Sequence, residues 1–261
     1  MKRTLLEDIS KWIPEDIRGF IGASPIYDSS CSPEARVLFI DKDEGFYLKR
    51  SAKDTLAIEA KMTDYFYKKG LSAEVISYIS DDADYMLTRK VKGEDCTHKD
   101  YLEEPKRLCD LLAERLRLLH ETACADCPVI DRMSGYISLA QKNYKSGSYD
   151  LSYYSSGYGE ISVDNAWAVL QEGKREFKNE VLLHGDYCLP NIMLDNWSFS
   201  GFIDVGNGGV GDRHVDLFWG AWTLNFNLGT DKYRERFFDA YGRDKINPDL
   251  LKTVAAAEVF G

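Results

Sequence analysis

The chain has no apolar run approaching the ~18 residues needed to cross a bilayer. Its opening residues, Met1-Lys2-Arg3-Thr4 with Glu7, Asp8, Lys11, Glu15 and Asp16 close behind, lack the apolar core of a secretory signal. A cytoplasmic protein with no membrane partner is expected. Internal repeats and low-complexity tracts are missing too, so ordinary globular structure is expected throughout. Histidines are few and dispersed, and the six cysteines stand at positions 31, 96, 109, 124, 127 and 188. Cys124 and Cys127 form a C-x-x-C without a second pair at zinc-ribbon spacing; two reduced thiols are expected there rather than a structural zinc. Basic charge is also short: 33 Lys and Arg against 43 Asp and Glu leave a net charge of −10. That balance argues against nucleic acid as a partner and suits a polycationic small molecule at an acidic cleft, although solubility alone accounts for it equally well.

The 261 residues that are present suffice for one large domain or for two lobes sharing a cleft. Residues 36–40 and 45–50 read as strands joined by the polar turn Asp41-Lys42-Asp43-Glu44. The period of two puts Tyr47 and Lys49 on one face of the second strand, with Phe46 and Leu48 on the other. Residues 55–69 are helical in character and Gly70 stops them; residues 75–79 and 85–88 read as further strands. Lys90-Val91-Lys92-Gly93-Glu94-Asp95 is a polar linker. It divides an N-terminal lobe, 1–90, from a C-terminal lobe, 91–261, with a hinge at about 88–93. Leu108, Leu111, Leu112, Leu116 and Leu119 predict one amphipathic helix over 101–120. Residues 146–160, rich in Tyr, Ser and Gly, read as a loop or helix connector, and 165–178 as helix. The fold class is α+β, a mainly β lobe followed by a larger, mainly α lobe.

Between apolar runs lies His184-Gly185-Asp186-Tyr187-Cys188-Leu189-Pro190-Asn191, followed by Gly201-Phe202-Ile203-Asp204. An H-G-D-x4-N match arises by chance in roughly one chain in a thousand of this length. The arrangement supplies what phosphoryl transfer requires: one carboxylate to orient a hydroxyl, and an amide with a second carboxylate to hold Mg²⁺ on the phosphates.

With these motifs the chain resembles the aminoglycoside phosphotransferases, most closely the 3′-phosphotransferase branch, whose fold is protein-kinase-like. Ser32-Pro33, Tyr47-Leu48-Lys49, Glu59, Arg117-Leu118-Leu119-His120, Asp126-Cys127-Pro128 and Gly211-Asp212-Arg213 carry the likeness beyond the central motif. It implies Asp186 as the catalytic carboxylate and Asn191 and Asp204 as Mg²⁺ ligands. It implies that Lys49, paired with Glu59, and Ser32 hold the phosphates of ATP or GTP. Tyr47 would stack on adenine, and backbone groups near Arg89 and Val91 would meet its edge. His184 is expected to orient the catalytic loop, and Asp212 and Asp216 to brace the magnesium hairpin. A protein kinase fits less well, since H-G-D stands for H-R-D, I-D-V-G for D-F-G, and no A-P-E follows.

The acceptor half departs from the pattern. The acid-rich stretch before the catalytic run is replaced by Ser148-Tyr149-Asp150-Leu151-Ser152-Tyr153-Tyr154-Ser155-Ser156-Gly157, with Asp150, Glu160 and Asp164 nearby. Asn207 stands where the branch commonly has Arg, and in Ala257-Glu258-Val259-Phe260-Gly261 an acidic pair is reduced to Glu258. Asp150, Glu160 and Glu258 are the candidate acceptor contacts, and the Tyr-rich stretch either stacks on the acceptor or packs on the helical lobe. The implied function is phosphorylation of an aminoglycoside, at its 3′-hydroxyl, conferring resistance. The alternatives are the same chemistry on another antibiotic or metabolite alcohol, or a nucleotide-binding module with little turnover. Monomer and dimer are both compatible.

Overall fold

The computed structural model describes residues 4–6, 13–31 and 35–261. Cα proximity divides the chain into two compact units, Met1–Lys92 with Ser200–Gly206, and Gly93–Phe199 with Asn207–Gly261. The segment bearing Asp204 thus counts with the first unit, whereas the sequence reading keeps it in the second lobe.

The first unit runs β1 (Thr4–Leu5), α1 (Glu15–Ile21), β2 (Ile26–Asp28), β3 (Ala35–Ile40), β4 (Phe46–Ser51), α2 (Ala57–Lys68), β5 (Val75–Ser80) and β6 (Asp84–Arg89). The strands form one antiparallel sheet in the order β1-β2-β3-β4-β6-β5. Its two faces are set by the alternation along β4. Phe46 and Leu48 are buried with Leu38, Ile40 and Leu87 against Ile17 and Ile21 of α1, a helix the sequence reading does not anticipate. The opposite face receives α2, where Ala60 packs on Met86. Lys49 pairs in register with Met86 and therefore lies on the α2 side. Buried Asp84 accepts from the Leu56 amide (2.8 Å) and the Tyr78 hydroxyl (3.0 Å), pinning the start of α2 to the sheet. The helix stops before Gly70, whose φ of 72° suits a residue without a Cβ.

The second unit follows with β7 (Glu94–Asp95), α3 (Lys99–Leu102), α4 (Pro105–His120), α5 (Arg132–Ser146), α6 (Ser152–Tyr158), α7 (Val163–Gly173), β8 (Val181–Leu183) and β9 (Ile192–Asp195). β10 (Ser198–Phe202) leads through the 200–206 segment, after which come β11 (Gly209–Gly211), α8 (His214–Leu228), α9 (Arg234–Tyr241) and α10 (Pro248–Glu258). The single helix expected over 101–120 is two. Pro105 opens α4, and the preceding Glu104 leaves helical geometry (φ −114°, ψ 59°) because a residue before proline disfavours it. Leu108, Leu112, Leu116 and Leu119 are buried along α4, as their spacing predicts. The stretch 146–160 contains the short helix α6. The helix expected over 165–178 begins at Val163, capped by the Ser162 hydroxyl, and becomes a 3₁₀ turn at Lys174–Glu176. β8 pairs with β11 and β7 with β9, all antiparallel. Among the described residues no helix is long and apolar enough to cross a membrane.

Candidate active site

In the first unit the functional groups gather around one ammonium. Lys49 Nζ lies 2.8 and 2.9 Å from the two carboxylate oxygens of Glu59 and 2.7 Å from Asp204 Oδ1. Burial opposes the charge on Lys49, but Glu59 and Asp204 outweigh it and hold the ammonium above its ordinary pKa. Burial also raises Glu59; the Lys49 charge only partly offsets this, and the like charge of Asp204 adds to it. Two carboxylates therefore share one cation. Gly206 lets α2 approach: a Cβ there would stand 3.1 Å from that of Glu59. Asp204 itself adopts φ 59°, a left-handed conformation that Asp tolerates better than most residues and that often marks functional positions.

Tyr47, on the same strand face as Lys49, is half-buried with its ring 5.3 Å from that of Phe39. Val91 is buried, and the Arg89 amide already donates to the Glu74 carbonyl, so any contact of Arg89 with a nucleotide base falls to its other atoms. Ser32 lies outside the described residues.

In the second unit the loop 184–191 is tied at both ends. The amides of His184 and Gly185 each donate to the Asp216 carboxylate at 2.8 Å, and the Leu189 amide donates to the Thr223 hydroxyl at 3.1 Å. Tyr187, wholly buried, donates to the Leu112 carbonyl at 2.8 Å. Gly185 has φ 83°, and a Cβ there would meet the Asn207 carbonyl oxygen at 1.9 Å, so the motif's glycine is a backbone requirement. The Asp186 amide donates to His184 Nδ1 (3.3 Å), and the ring is buried. Asn191 Nδ2 donates to Asp186 Oδ2 at 2.8 Å and to its carbonyl at 3.0 Å.

Asp216 thus braces the catalytic loop, not the 204 segment. Its Oδ2 also meets His120 Nε2 (3.2 Å), while His120 Nδ1 meets the Tyr241 hydroxyl (2.8 Å). Asp212 accepts from the Lys178 and His214 amides. The bracing role expected at the magnesium hairpin is, for both residues, spent elsewhere.

Asp186 and Asn191 open into a cavity of about 510 Å³. One wall is a face of α8 carrying Trp219, Trp222, Thr223, Phe226 and Asn227, at the i, i+3, i+4, i+7, i+8 spacing of a single helix face. Tyr153 of α6 adds its ring, 5.6 Å from Trp219. Glu258 of α10 lines the cavity with its Oε1 accepting from the Tyr136 hydroxyl (2.7 Å) and the Trp219 indole (3.1 Å). Burial pushes its carboxyl up to about 7, which those two donors only partly counter. Cys188 also borders the cavity, but burial raises its thiol well above the ordinary range, so it is no nucleophile.

Neither Asp150 nor Glu160 lines this cavity; both are exposed, and Asp150 accepts from the Ser152 amide at the start of α6. Of the candidate acceptor contacts the structure gathers only Glu258 there. In the Tyr-rich stretch Tyr154 is buried while Tyr153 lines the cavity. Asn207, conspicuous for not being Arg, accepts from Arg132 Nη2 at 2.8 Å, and Arg132 also lines the cavity. A guanidinium is therefore present, delivered by α5. Sequence reasoning missed Arg132 and the α8 aromatics; the Trp219, Trp222, Phe226 spacing was the available signal, although such a stripe usually denotes core.

Fold, motif order and the clustered acids define a kinase-like phosphotransferase. The phosphotransferase enzyme family matches residues 32–252. A probable aminoglycoside 3′-phosphotransferase of Lactococcus lactis is 53% identical over 249 residues, 95% of each chain. The crystal structure of an aminoglycoside 3′-phosphotransferase of type VIII superposes with a TM-score of 0.77 at 22% identity, covering 94% of this chain and 97% of the other. An aminoglycoside phosphotransferase from Streptomyces rimosus, solved with ADP and streptomycin, gives a TM-score of 0.68 at 21% identity, covering 87% and 91%. The chain belongs to the aminoglycoside phosphotransferase family.

Proposed function

We propose that the protein transfers the γ-phosphate of ATP or GTP to a hydroxyl of an aminoglycoside, the 3′-hydroxyl, acts in the cytoplasm where nucleoside triphosphates are found, and confers resistance. The observation that carries this reading is Asp186, oriented by Asn191 at the mouth of a cavity large enough for an aminosugar. The family relatives and the neighbour holding ADP and streptomycin support both substrates.

Lys49 supplies the fixed positive charge for the phosphates, kept in place by Glu59. Asp186 accepts a hydrogen bond from the attacking hydroxyl and aims it; the loose transition state asks more for alignment than for basicity. The donor atoms suit Mg²⁺. Asn191 spends its amide nitrogen on Asp186 and so has its oxygen to offer, and Asp204 contributes an exposed carboxylate. Both are hard oxygens, the ligand type Mg²⁺ prefers, so Asn191 and Asp204 would be the side chains to hold it. When bound, the ion neutralises charge developing on the phosphates.

Asp186→Ala is expected to lower kcat by at least ~10³-fold while nucleotide affinity stays within about twofold. Near-normal turnover in that variant, read in a coupled nucleotide-consumption assay with a panel of aminoglycosides, would remove Asp186 from the mechanism. Absence of protection in a susceptible host expressing the wild-type protein would remove the resistance reading.

A further inference from the structure

The cavity that holds Asp186 carries few charged side chains. Its side-chain carboxylates are Asp186 and Glu258, and Arg132 stands among them. Asp186 is committed to the reacting hydroxyl. Glu258 is buried beneath two donors, and burial raises its carboxyl to about 7. Only two of the chain's 43 acidic side chains line it, so charge alone gives a polycation few fixed contacts there.

Aromatic surface is what the cavity offers instead. Trp222 and Phe226 are stacked, with centroids 4.9 Å apart and planes at 12°. Trp219 meets Trp222 edge to face at 5.4 Å, and Tyr153 closes the row 5.7 Å from Trp222. Phe226 is 70% exposed, a costly placement for a phenyl ring in an ordinary helix face. A continuous aromatic row lining the same cavity as Asp186 can pack against the C–H face of a sugar ring and attract an ammonium to its π faces.

We propose that Trp222 and Phe226 form the acceptor-recognition platform, an aromatic surface on which an aminosugar ring stacks with an ammonium drawn to the π face. This rests on the aminoglycoside reading and specifies how that acceptor is held. Stacking replaces the acid-rich stretch missing from residues 148–157.

Kanamycin is the probe, measured two ways: by turnover, and by calorimetric binding to the nucleotide-free enzyme at 50 and 300 mM salt. Phe226→Ala, at an exposed position that leaves the core intact, should weaken kanamycin binding and raise its KM about tenfold, with nucleotide KM and kcat unchanged. Phe226→Tyr should restore both, and Trp222→Ala should exceed Phe226→Ala. Wild-type affinity should fall less than threefold between the two salt concentrations, since stacking is screened little. Unchanged kanamycin affinity in both alanine variants, or a tenfold salt dependence in the wild type, would overturn the platform. Platform-dependent binding without turnover by the wild type would instead overturn the aminoglycoside kinase reading and leave the platform standing.

Discussion

The cluster around Lys49 and the cavity around Asp186 are built by opposite means. The first holds one cation among two carboxylates, and its geometry follows from charge. The second holds its loop by backbone hydrogen bonds to Asp216 and Thr223, and its wall is aromatic with one buried carboxyl, Glu258, raised to about 7. The difference follows from what each must bind. A triphosphate presents the same charges in every cell, so an ion-pair cradle suits it. An acceptor differs in ring pattern, and shape with stacking discriminates among rings better than charge does.

The largest expected effect tests the charged side. Lys49→Met should lower kcat/KM for the nucleotide by roughly 10²–10³-fold, the range for losing one electrostatic contact to the reacting group. It should leave the acceptor KM unchanged, because the lysine serves only the donor; a parallel rise in acceptor KM would break the division.

On the other side, Glu258 should set a pH dependence of stability. The native state keeps its proton up to about pH 7, whereas the unfolded chain releases it near 4.5. Between those values the native state binds more protons, so its stability falls as pH rises and levels off above 7. Glu258→Gln keeps an oxygen for Tyr136 and Trp219. It should remove that decline and exceed the wild type by roughly 3 kcal/mol at pH 8, at 1.36 kcal/mol per pKa unit. Urea denaturation at pH 5 and pH 8 reads the difference; parallel curves for the two proteins would show that Glu258 is not the group responsible.

A smaller effect tests how the catalytic loop is held. Gly185→Ala should cost about 2 kcal/mol of stability, from positive φ and the collision with the Asn207 carbonyl. It should also lower kcat without moving the nucleotide KM. Wild-type stability and turnover in this variant would mean that the loop is free to adjust.

Much of the donor side was legible in the sequence, since the relevant groups sit in short contiguous motifs. Alternation along 46–49 put Lys49 opposite the buried Phe46 and Leu48, and the following helix carried Glu59. The break before Pro105 was legible too, yet five leucines at helical spacing overrode it in the reading. The acceptor wall was far less legible. Charge and nearness in sequence single out Asp150 and Glu160, yet both are exposed and neither lines the cavity. Arg132 and Asn207 lie 75 positions apart and only their contact shows that one delivers a guanidinium beside the other. Asp216 was credited to the wrong neighbour, because a loop's amides carry no sequence mark of the acceptor they will meet.

The sequence by itself determined the family and the order of strands and helices near the motifs, and it singled out Lys49, Glu59, Asp186, Asn191 and Asp204 as candidates. Local periodicity and motif chemistry are properties of neighbouring residues, and they survive without knowledge of packing. Tertiary structure alone decided that Asp204 joins the Lys49–Glu59 pair, that Asp216 holds the 184–191 loop, and that α5, α6, α8 and α10 together line one largely aromatic cavity. Those outcomes depend on which helix faces meet, and that is settled by packing between segments from about 30 to more than 150 positions apart.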